Sequence, residues 1–144
     1  MKAFSISRLN KSDIDIIAPL IHELMGHKIQ DDLLKERLNA MFDQNYECHG
    51  IYDDSNRKLI GIFGLWFAIR HYSGKTCEPD HVYIIPEYRS KGLGKWVFKW
   101  IFAYAKEKGC QTSELNSYVS NYPSHKFYLN NGYEILGYHF LKRF

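Results

Sequence analysis

The chain has few cysteines and no pair with the C-x-x-C spacing. Its three cysteines, Cys48, Cys77 and Cys110, are widely separated among 144 residues. Small disulfide-bonded proteins need an even and denser set of cysteines, and structural zinc sites use closely spaced pairs. The count and spacing therefore argue against both kinds of site, and we expect no bound metal.

Long apolar runs and clusters of one charge are also lacking. No apolar stretch approaches the roughly 20 residues that cross a bilayer, and the first residues show no apolar core of a secretory signal. The formal net charge is only +3, from 19 basic and 16 acidic residues. A nucleic-acid-binding domain usually has a denser basic stripe. We therefore expect a cytoplasmic protein that binds neither a membrane nor a nucleic acid.

Hydrophobic residues, by contrast, are plentiful. They make up 45% of the chain, and aromatic residues make up 16%. This content is enough for a packed core and too high for a disordered chain. Because a length of 144 residues fits one domain, we expect residues 1–144 to form a single domain.

The spacing of apolar residues changes along the chain and predicts the order β-α-α-β-β-β-α-β-α-β. Alternation predicts strands over residues 2–9, 47–53, 58–73, 76–84, 112–119 and 133–144. Helical spacing predicts helices over residues 11–28 and 31–42, from the glycine turn to Lys108, and over residues 123–131. Ser12 is the expected first N-cap, Pro19 a kink site and Gly109 the C-cap of the third helix. This order predicts an α/β fold with a mixed β-sheet, antiparallel at first, flanked by helices.

Three familiar motifs are incomplete in this sequence. "SGKT" at residues 73–76 has Ile69 where a P-loop needs its first glycine. "GLGKWV" has Val97 in place of the third glycine of a dinucleotide fingerprint. His22 and His27 in "HELMGH" are five residues apart, so a continuous helix would place them about 140° apart and not on one zinc-binding face.

The segment "YRSKGLGK", residues 88–95, follows an apolar strand and precedes the third helix. Glycine disfavours helix interiors, so Gly92 and Gly94 need another reason to stand at a helix start. One interpretation is a tight turn on a basic surface. The other is an anion site, because a helix N-terminus has unpaired N–H groups and Arg89, Lys91 and Lys95 add positive charge.

The sequence around this turn resembles the GNAT superfamily of acyl-CoA-dependent N-acyltransferases, which favours the anion site. The resemblance lies in "VYIIPEYRSKGLGKWVFKWI" and "LNSYVSNYPSHKFYLNNGYEILGYHF". The family pattern is an apolar strand, a proline, R/Q-x-x-G-x-G/A and a helix, followed later by an asparagine, a short helix with Phe-Tyr, and Gly-Tyr/Phe. The matching residues are Pro86, Arg89, Gly92, Gly94, Asn121, Phe127, Tyr128, Gly132 and Tyr133.

The resemblance implies acetyl-CoA as the acyl donor and co-substrate, with no metal. Its pyrophosphate is expected on the amides of the glycine turn, and its pantetheine arm along the edge of the preceding strand, as an added strand would pair. The residues that the resemblance implies for acetyl-CoA binding are Tyr83, Ile84, Ile85, Arg89, Ser90, Lys91, Gly92, Leu93, Gly94, Lys95, Asn121 and Tyr128.

The resemblance also implies transfer of an acetyl group to a primary amine by direct attack in a ternary complex. Tyr128 matches the family tyrosine that faces the sulfur, and we expect it to protonate the leaving thiolate. The general base stays open among Glu78, Asp80, His81 and an ordered water. A non-catalytic acyl-CoA-binding or sensing domain is the alternative, but such a domain has no need for a phenol beside the sulfur.

The amine acceptor stays open between a small molecule and a peptide or protein amino group. The resemblance places acceptor contacts in the first two helices, in residues 25–32 and in the strand near residues 65–80. The acidic and aromatic candidates there are Glu23, Asp31, Asp32, Glu78, Trp66, Phe67 and Tyr72. Acidic residues attract a cationic amine, and aromatic residues line a pocket or pack the core. A homodimer is a further expectation.

Overall fold

Five β-strands form one sheet in the order β1-β2-β3-β4-β5 in a computed structural model that describes residues 3–144. The strands are β1 (Phe4–Leu9), β2 (Tyr46–Asp53), β3 (Lys58–Arg70), β4 (Gly74–Ile84) and β5 (Thr112–Ser113). Neighbours from β1 to β4 are antiparallel, whereas β5 runs parallel to β4. The predicted mixed sheet, antiparallel at first, is confirmed.

Four α-helices cover the two faces of this sheet. They are α1 (Ile14–Met25), α2 (Asp31–Met41), α3 (Leu93–Glu107) and α4 (Tyr122–Asn130), with short 3-10 turns at Lys11–Asp13 and Pro86–Tyr88. One face packs α1 and α2 through Ile17, Ile21 and Leu38. The other packs α3 through Val97 and Ile101. The order of elements follows the predicted order as far as α4.

The ends of two helices differ from the prediction. Asn10 and not Ser12 caps the first turn: its Oδ1 accepts from the Ser12 N–H at 3.0 Å, and Asp13 Oδ2 accepts from the Asn10 N–H at 2.8 Å. Pro19 lies inside α1 without ending it. Gly109 has a φ of 82° and directly follows the C-cap residue Lys108, a position where glycine relieves the left-handed backbone.

The prediction for the last two strands of the sheet is wrong. The fifth strand has only two ladder residues where residues 112–119 were expected, and residues 133–144 form no strand. Alternation along residues 133–144 makes an extended backbone favourable, but a strand also needs a neighbouring edge with which to pair. In the structure this segment has no such neighbour among residues 3–144.

Candidate active site

A gap opens in the sheet where β4 and β5 separate. The two strands pair only through Thr76 with Thr112 and Cys77 with Ser113, and the Glu114 N–H still donates to Cys77 O at 3.0 Å. Beyond that point β4 continues to Ile84 with β3 on one side and no strand on the other among the described residues. The far half of β4 therefore presents a free edge on which an extended ligand can form strand-like hydrogen bonds.

The alternation at the end of β4 decides which backbone groups reach this gap. The Ile85 N–H donates to Ile60 O of β3 at 2.9 Å, and Tyr83 is paired with Ile62 of β3. Successive residues of a strand point their N–H and C=O groups to opposite sides. Ile84 therefore faces the gap, whereas the backbone groups of Tyr83 and Ile85 face β3.

The glycine turn leaves a row of amides without acceptors. None of the N–H groups from Ser90 to Lys95 donates a hydrogen bond to any residue of the described chain. Gly92 is the N-cap of α3, supplies no side-chain cap and has a φ of 79° with open space where a Cβ would lie. Six N–H groups without acceptors, in this turn and in the first turn of the fifteen-residue helix α3, suit an anionic group such as a pyrophosphate.

Two basic side chains next to the turn are held by backbone carbonyls. Arg89 Nε donates to Ile84 O at 2.6 Å, and its guanidinium lies 5.1 Å from the centre of the Tyr83 ring. Lys91 Nζ donates to Glu87 O at 2.8 Å. Both cations thus stay beside the turn and the end of β4, while Lys95 is exposed in the first turn of α3.

Two residues predicted to bind acetyl-CoA have structural roles. The Leu93 side chain is buried in the core beneath α3, so only its amide is available to a ligand. Asn121 caps α4, where its Oδ1 accepts from the Ser124 N–H at 3.4 Å. Gly94 lies in the first turn of α3 and faces the Phe127 ring of α4. A Cβ at residue 94 would be 3.4 Å from that ring, which is an ordinary contact. The surrounding protein therefore does not itself require glycine at residue 94.

Tyr128 lies on α4 with its ring in an aromatic cluster and its hydroxyl unpaired. The ring is half-buried against Phe98, Phe127 and Tyr133. Its hydroxyl makes no hydrogen bond within residues 3–144, whereas the Tyr133 hydroxyl pairs with Ser113 Oγ at 2.6 Å. Burial raises the pKa of the Tyr128 phenol, so it is protonated at neutral pH and free to donate.

Glu78 stands where β4 and β5 part. It directly follows the last residue of β4 that pairs with β5, and its Oε1 accepts from Asn116 Nδ2 across the opening at 3.0 Å. Burial and, to a lesser extent, the nearby Asp80 carboxylate raise the pKa of Glu78. A carboxylate of raised pKa at the mouth of a gap has the properties of a general base.

A bulge in β4 orients the His81 ring so that it is less suited to act as the general base. Phe63 of β3 has no single partner there, because the pairing shifts between Ile62 and Gly64, and His81 takes a φ of 38°. Its Nε2 lies 2.5 Å from the Tyr46 hydroxyl, while its Nδ1 is enclosed without a hydrogen-bond partner in the described chain. Burial lowers the pKa of His81.

The face beside Glu78 is acidic and aromatic. Asp80 is exposed, and its carboxylate accepts from Trp66 Nε1 at 3.0 Å and from the His81 N–H at 2.8 Å. Of the other predicted acceptor contacts, Phe67 packs on the α3 side of the sheet. Tyr72 donates to Glu114 at 3.3 Å, next to the last paired residues of β4 and β5.

The turn between α1 and α2 places two histidines together, which corrects the predicted separation. The helix ends at Met25, and Gly26 and His27 take positive φ values of 65° and 57°. The chain thereby folds back, and the rings of His22 and His27 stack with centroids 5.6 Å apart. His22 Nε2 pairs with Asp31 at 2.9 Å. Within residues 3–144, no group of three or more His, Cys, Asp or Glu side chains has the arrangement of a metal site.

Sequence reasoning missed two residues that organise this site. Asn116 holds Glu78, and Tyr46 holds His81. Asn116 lies in a segment predicted only as a strand, and no local pattern marks it. Gly64 did carry a signal for the Tyr46–His81 contact, because an isolated glycine in a strand indicates a bulge or a close approach. A Cβ at Gly64 would clash directly with the His81 ring.

Comparisons with known proteins agree with this architecture. A sequence profile of the acetyltransferase (GNAT) family matches residues 16–133. The aminoalkylphosphonate N-acetyltransferase of Salmonella typhimurium is 22% identical, over 99% of this chain and 92% of the relative. The solved ribosomal-protein-alanine N-acetyltransferase of Brucella melitensis has a TM-score of 0.79 and 22% identity, over 99% of each chain. An aminoglycoside N-acetyltransferase solved with CoA has a TM-score of 0.82 and 16% identity, over 99% of this chain and 95% of that one.

Proposed function

Because this chain belongs to the GNAT family of acetyltransferases, we propose that it moves an acetyl group from acetyl-CoA to a primary amine of a small molecule or peptide, through a site built by Glu78, Tyr128 and the β4 edge. The protein is an acetyl-CoA-dependent N-acetyltransferase. In the proposed mechanism the amine attacks the thioester directly within a ternary complex. The observation that carries the site assignment is the row of unpaired amides from Ser90 to Lys95 beside a free strand edge.

The residues around the gap fit acetyl-CoA. The turn amides bind the pyrophosphate, with Arg89, Lys91 and Lys95 nearby to balance its charge. The pantetheine arm lies along the β4 edge at Ile84, whose carbonyl already accepts from Arg89 Nε and whose N–H is left for the thioester end. Acetyl-CoA supplies an activated acetyl thioester. The opening between β4 and β5 admits that end of the molecule, and Glu78 lies where the two strands part.

Three groups of this chain act on the reacting atoms. Glu78 accepts a proton from the acceptor nitrogen, which leaves a neutral amine able to attack. The Ile84 N–H polarises the thioester carbonyl. Tyr128 donates its hydroxyl proton to the sulfur as the carbon–sulfur bond breaks, and the second proton that the nitrogen loses as the amide forms restores the tyrosine through solvent. His81, whose ring nitrogens are engaged or enclosed, is the weaker candidate for the base.

The acceptor enters from the face that carries Trp66, Glu78 and Asp80. Two carboxylates there attract an amine that arrives as an ammonium ion. An acceptor that also carries a phosphonate or phosphate group would meet these carboxylates unfavourably. We therefore place cationic small-molecule amines and peptide amino groups ahead of acidic amines as substrates.

A thiol-release assay against a panel of amines tests the function. The panel holds polyamines, aminoglycosides, amino acids, peptides with free amino groups and aminoalkylphosphonates. We expect release of CoA that depends on at least one cationic amine. Binding of acetyl-CoA in calorimetry without turnover on any amine would instead support a non-catalytic acyl-CoA-binding or sensing domain.

The wider setting of the protein is also part of the proposal. No helix within residues 3–144 is long and apolar enough to span a membrane. The mild net charge of +3 favours a small-molecule or peptide partner over a nucleic acid. We propose that the protein acts in the cytoplasm, without nucleic acid or membrane, and as a homodimer.

A further inference from the structure

Asp53 is a buried acidic residue that the proposed mechanism does not use. It is the last residue of β2, and its side chain is fully enclosed. A carboxylate removed from water is costly unless hydrogen-bond donors surround it. The Ser55 N–H and Oγ supply two of these donors to Asp53 Oδ1, at 3.0 and 2.6 Å. Asp53 is therefore held in place by the turn that follows its own strand.

The other oxygen of Asp53 accepts from the segment that leads into the glycine turn. Tyr88 ends the 3-10 turn Pro86–Tyr88, and its hydroxyl donates to Asp53 Oδ2 at 2.7 Å. The two residues are 35 positions apart in the chain. A hydrogen bond to a carboxylate is stronger than one between neutral groups. This bond thus joins the end of β2 to the residue directly before Arg89.

The two ends of the bond differ in how firmly their backbones are fixed. Asp53 pairs with Phe4 of β1 and with Lys58 of β3, so it lies inside the sheet. The glycine turn, by contrast, has six successive N–H groups, those of residues 90–95, that donate to no residue of the described chain. A segment with few backbone hydrogen bonds opens easily unless side chains hold it. The Tyr88 hydroxyl therefore connects the weakly bonded turn to the firmly bonded sheet.

The Tyr88 ring contacts both the sheet and the turn. It packs edge-on against Phe4 of β1, with ring centroids 6.3 Å apart. On the side of the turn, Lys91 Nζ lies 5.9 Å from the centre of the Tyr88 ring and donates to Glu87 O at 2.8 Å. Because the ring and the hydroxyl are both engaged, the position of Tyr88 is set by the sheet and constrains the backbone that follows it.

We propose that the hydrogen bond from Tyr88 to Asp53 is a positioning device that holds residues 90–95 in the shape that binds acetyl-CoA. The proposal rests on the proposed function, which places the pyrophosphate at this turn. Neither Tyr88 nor Asp53 is among the groups that act on the reacting atoms, so both are positioning residues. A turn that is ordered before the ligand arrives loses less conformational freedom on binding. Loss of the bond should therefore weaken acetyl-CoA binding and leave the chemical step unchanged.

Tyr88→Phe keeps the ring, removes the hydroxyl and tests the affinity. In calorimetry the dissociation constant for acetyl-CoA should rise about tenfold, the scale of one hydrogen bond to a charged group. At saturating acetyl-CoA and amine, kcat should stay within about twofold of the parent, as expected when only a binding interaction is lost. If the variant does not fold because the buried carboxylate lacks a donor, Tyr88→Phe combined with Asp53→Asn removes that charge and should show the same rise.

Tyr104→Phe is the matched control. The Tyr104 hydroxyl also donates to a partly buried carboxylate oxygen, Glu47 Oε2, at the same distance of 2.7 Å, but Tyr104 lies in the second half of α3, away from the turn. Tyr88→Phe and Tyr104→Phe should therefore lower Tm by similar amounts, whereas Tyr104→Phe should keep the acetyl-CoA affinity of the parent. Equal affinity in the two variants would mean that the Tyr88 bond only stabilises the fold, and would overturn the proposal.

NMR relaxation of the ligand-free protein measures the order of the turn without acetyl-CoA. The backbone ¹⁵N order parameters of Gly92 and Gly94 should fall in Tyr88→Phe and stay at the parent values in Tyr104→Phe. Unchanged order parameters in Tyr88→Phe, or a kcat that falls as far as the affinity, would overturn the positioning role while the proposed function stands. A parent protein that binds no acetyl-CoA in calorimetry would overturn the proposed function and the positioning role together.

Discussion

The Tyr46 hydroxyl lies 2.5 Å from His81 Nε2. This contact is possible because the bulge in β4 turns His81 toward β2 and because Gly64 leaves room for the imidazole. It occupies the outer ring nitrogen of His81, while Nδ1 is enclosed. Among the acidic and basic groups that the sequence offers for proton removal, the arrangement favours Glu78.

Replacing Glu78 tests this assignment. Burial raises the pKa of Glu78, and its deprotonated form is the active one. We therefore expect kcat/KM to rise with pH, with the apparent pKa of this rising limb above the ordinary carboxyl value of about 4.3. Glu78→Gln should lower kcat/KM by at least ~10²-fold and remove that limb. Steady-state kinetics across pH make the measurement.

Two variants serve as controls for the base. Glu114→Gln removes a carboxylate from the opposite wall and should keep the limb. His81→Asn, chosen because asparagine tolerates a positive φ, should keep it as well. An unchanged profile in Glu78→Gln, with the limb lost in His81→Asn, would move the role to the histidine.

Replacing Tyr128 tests the general acid. Tyr128→Phe keeps the ring in its cluster and deletes the unpaired hydroxyl. A phenol of pKa about 10 is protonated at neutral pH and can donate to a leaving thiolate whose thiol has a pKa of about 8.5. Without this donor we expect kcat to fall ~10²-fold. Acetyl-CoA affinity and Tm should change little.

Tyr133→Phe is the matched control for the acid. Its hydroxyl pairs with Ser113, so the substitution should cost about 1 kcal/mol of unfolding free energy and leave kcat close to that of the parent. If both variants lose activity equally, the effect comes from packing of the aromatic cluster and not from a proton donor.

Replacing Gly94 tests the anion-binding turn. Gly94→Glu adds bulk and negative charge beside the unpaired amides and should abolish acetyl-CoA binding in calorimetry. Ala103→Glu puts the same charge on an exposed position of the same helix and should retain binding. Equal affinity in the two variants would remove the pyrophosphate from this turn.

The buried His49 ring should make the folded protein less stable in mild acid. Its ring is buried between Phe63, Trp100 and Tyr104, with Nε2 3.1 Å from Glu47 Oε2 and with Arg8 on the same carboxylate. Burial lowers the pKa of His49. The unfolded chain therefore takes up a proton below about pH 6.5 that the folded chain does not, and the free energy of unfolding falls as pH falls.

Denaturant unfolding at several pH values measures this dependence. His49→Gln cannot titrate and should show a shallower loss of stability in acid, with the remainder attributed to His81, whose pKa is also lowered by burial. His71→Gln, on an exposed residue between β3 and β4, is the control and should follow the parent. A slope in His49→Gln equal to that of the parent would contradict the prediction.

The sequence was sufficient to predict those helices and turns whose signals lie in neighbouring residues. The buried stripe of α3, with Leu93, Val97 and Ile101, repeats at helical spacing, and the glycine turn before it carries its own chemistry. The alternation over residues 133–144 is equally local, but it specifies only an extended backbone. The partner edge of a strand is a non-local property, and this is why the predicted closing strand was wrong.

In the candidate site, too, the residues with a local sequence signal could be predicted and the residues that meet only through the fold could not. Arg89, Gly92, Gly94 and Tyr128 could be named because their spacing matches a family pattern. The contacts of Asn116 with Glu78 and of Tyr46 with His81 join residues 38 and 35 positions apart. They depend on where two strands part and where one bulges, and neither feature has a strong sequence signal.

Mass spectrometry of a single turnover measures acetyl transfer to the amine itself. The enzyme is mixed with a limiting amount of acetyl-CoA and with the cationic amine that releases most thiol in the panel. We expect the amine to gain one acetyl group, this product to be absent with Gly94→Glu, and its formation to be much slower with Glu78→Gln and Tyr128→Phe. Bound acetyl-CoA with no acetylated amine from the parent enzyme would contradict the proposed acetyl transfer.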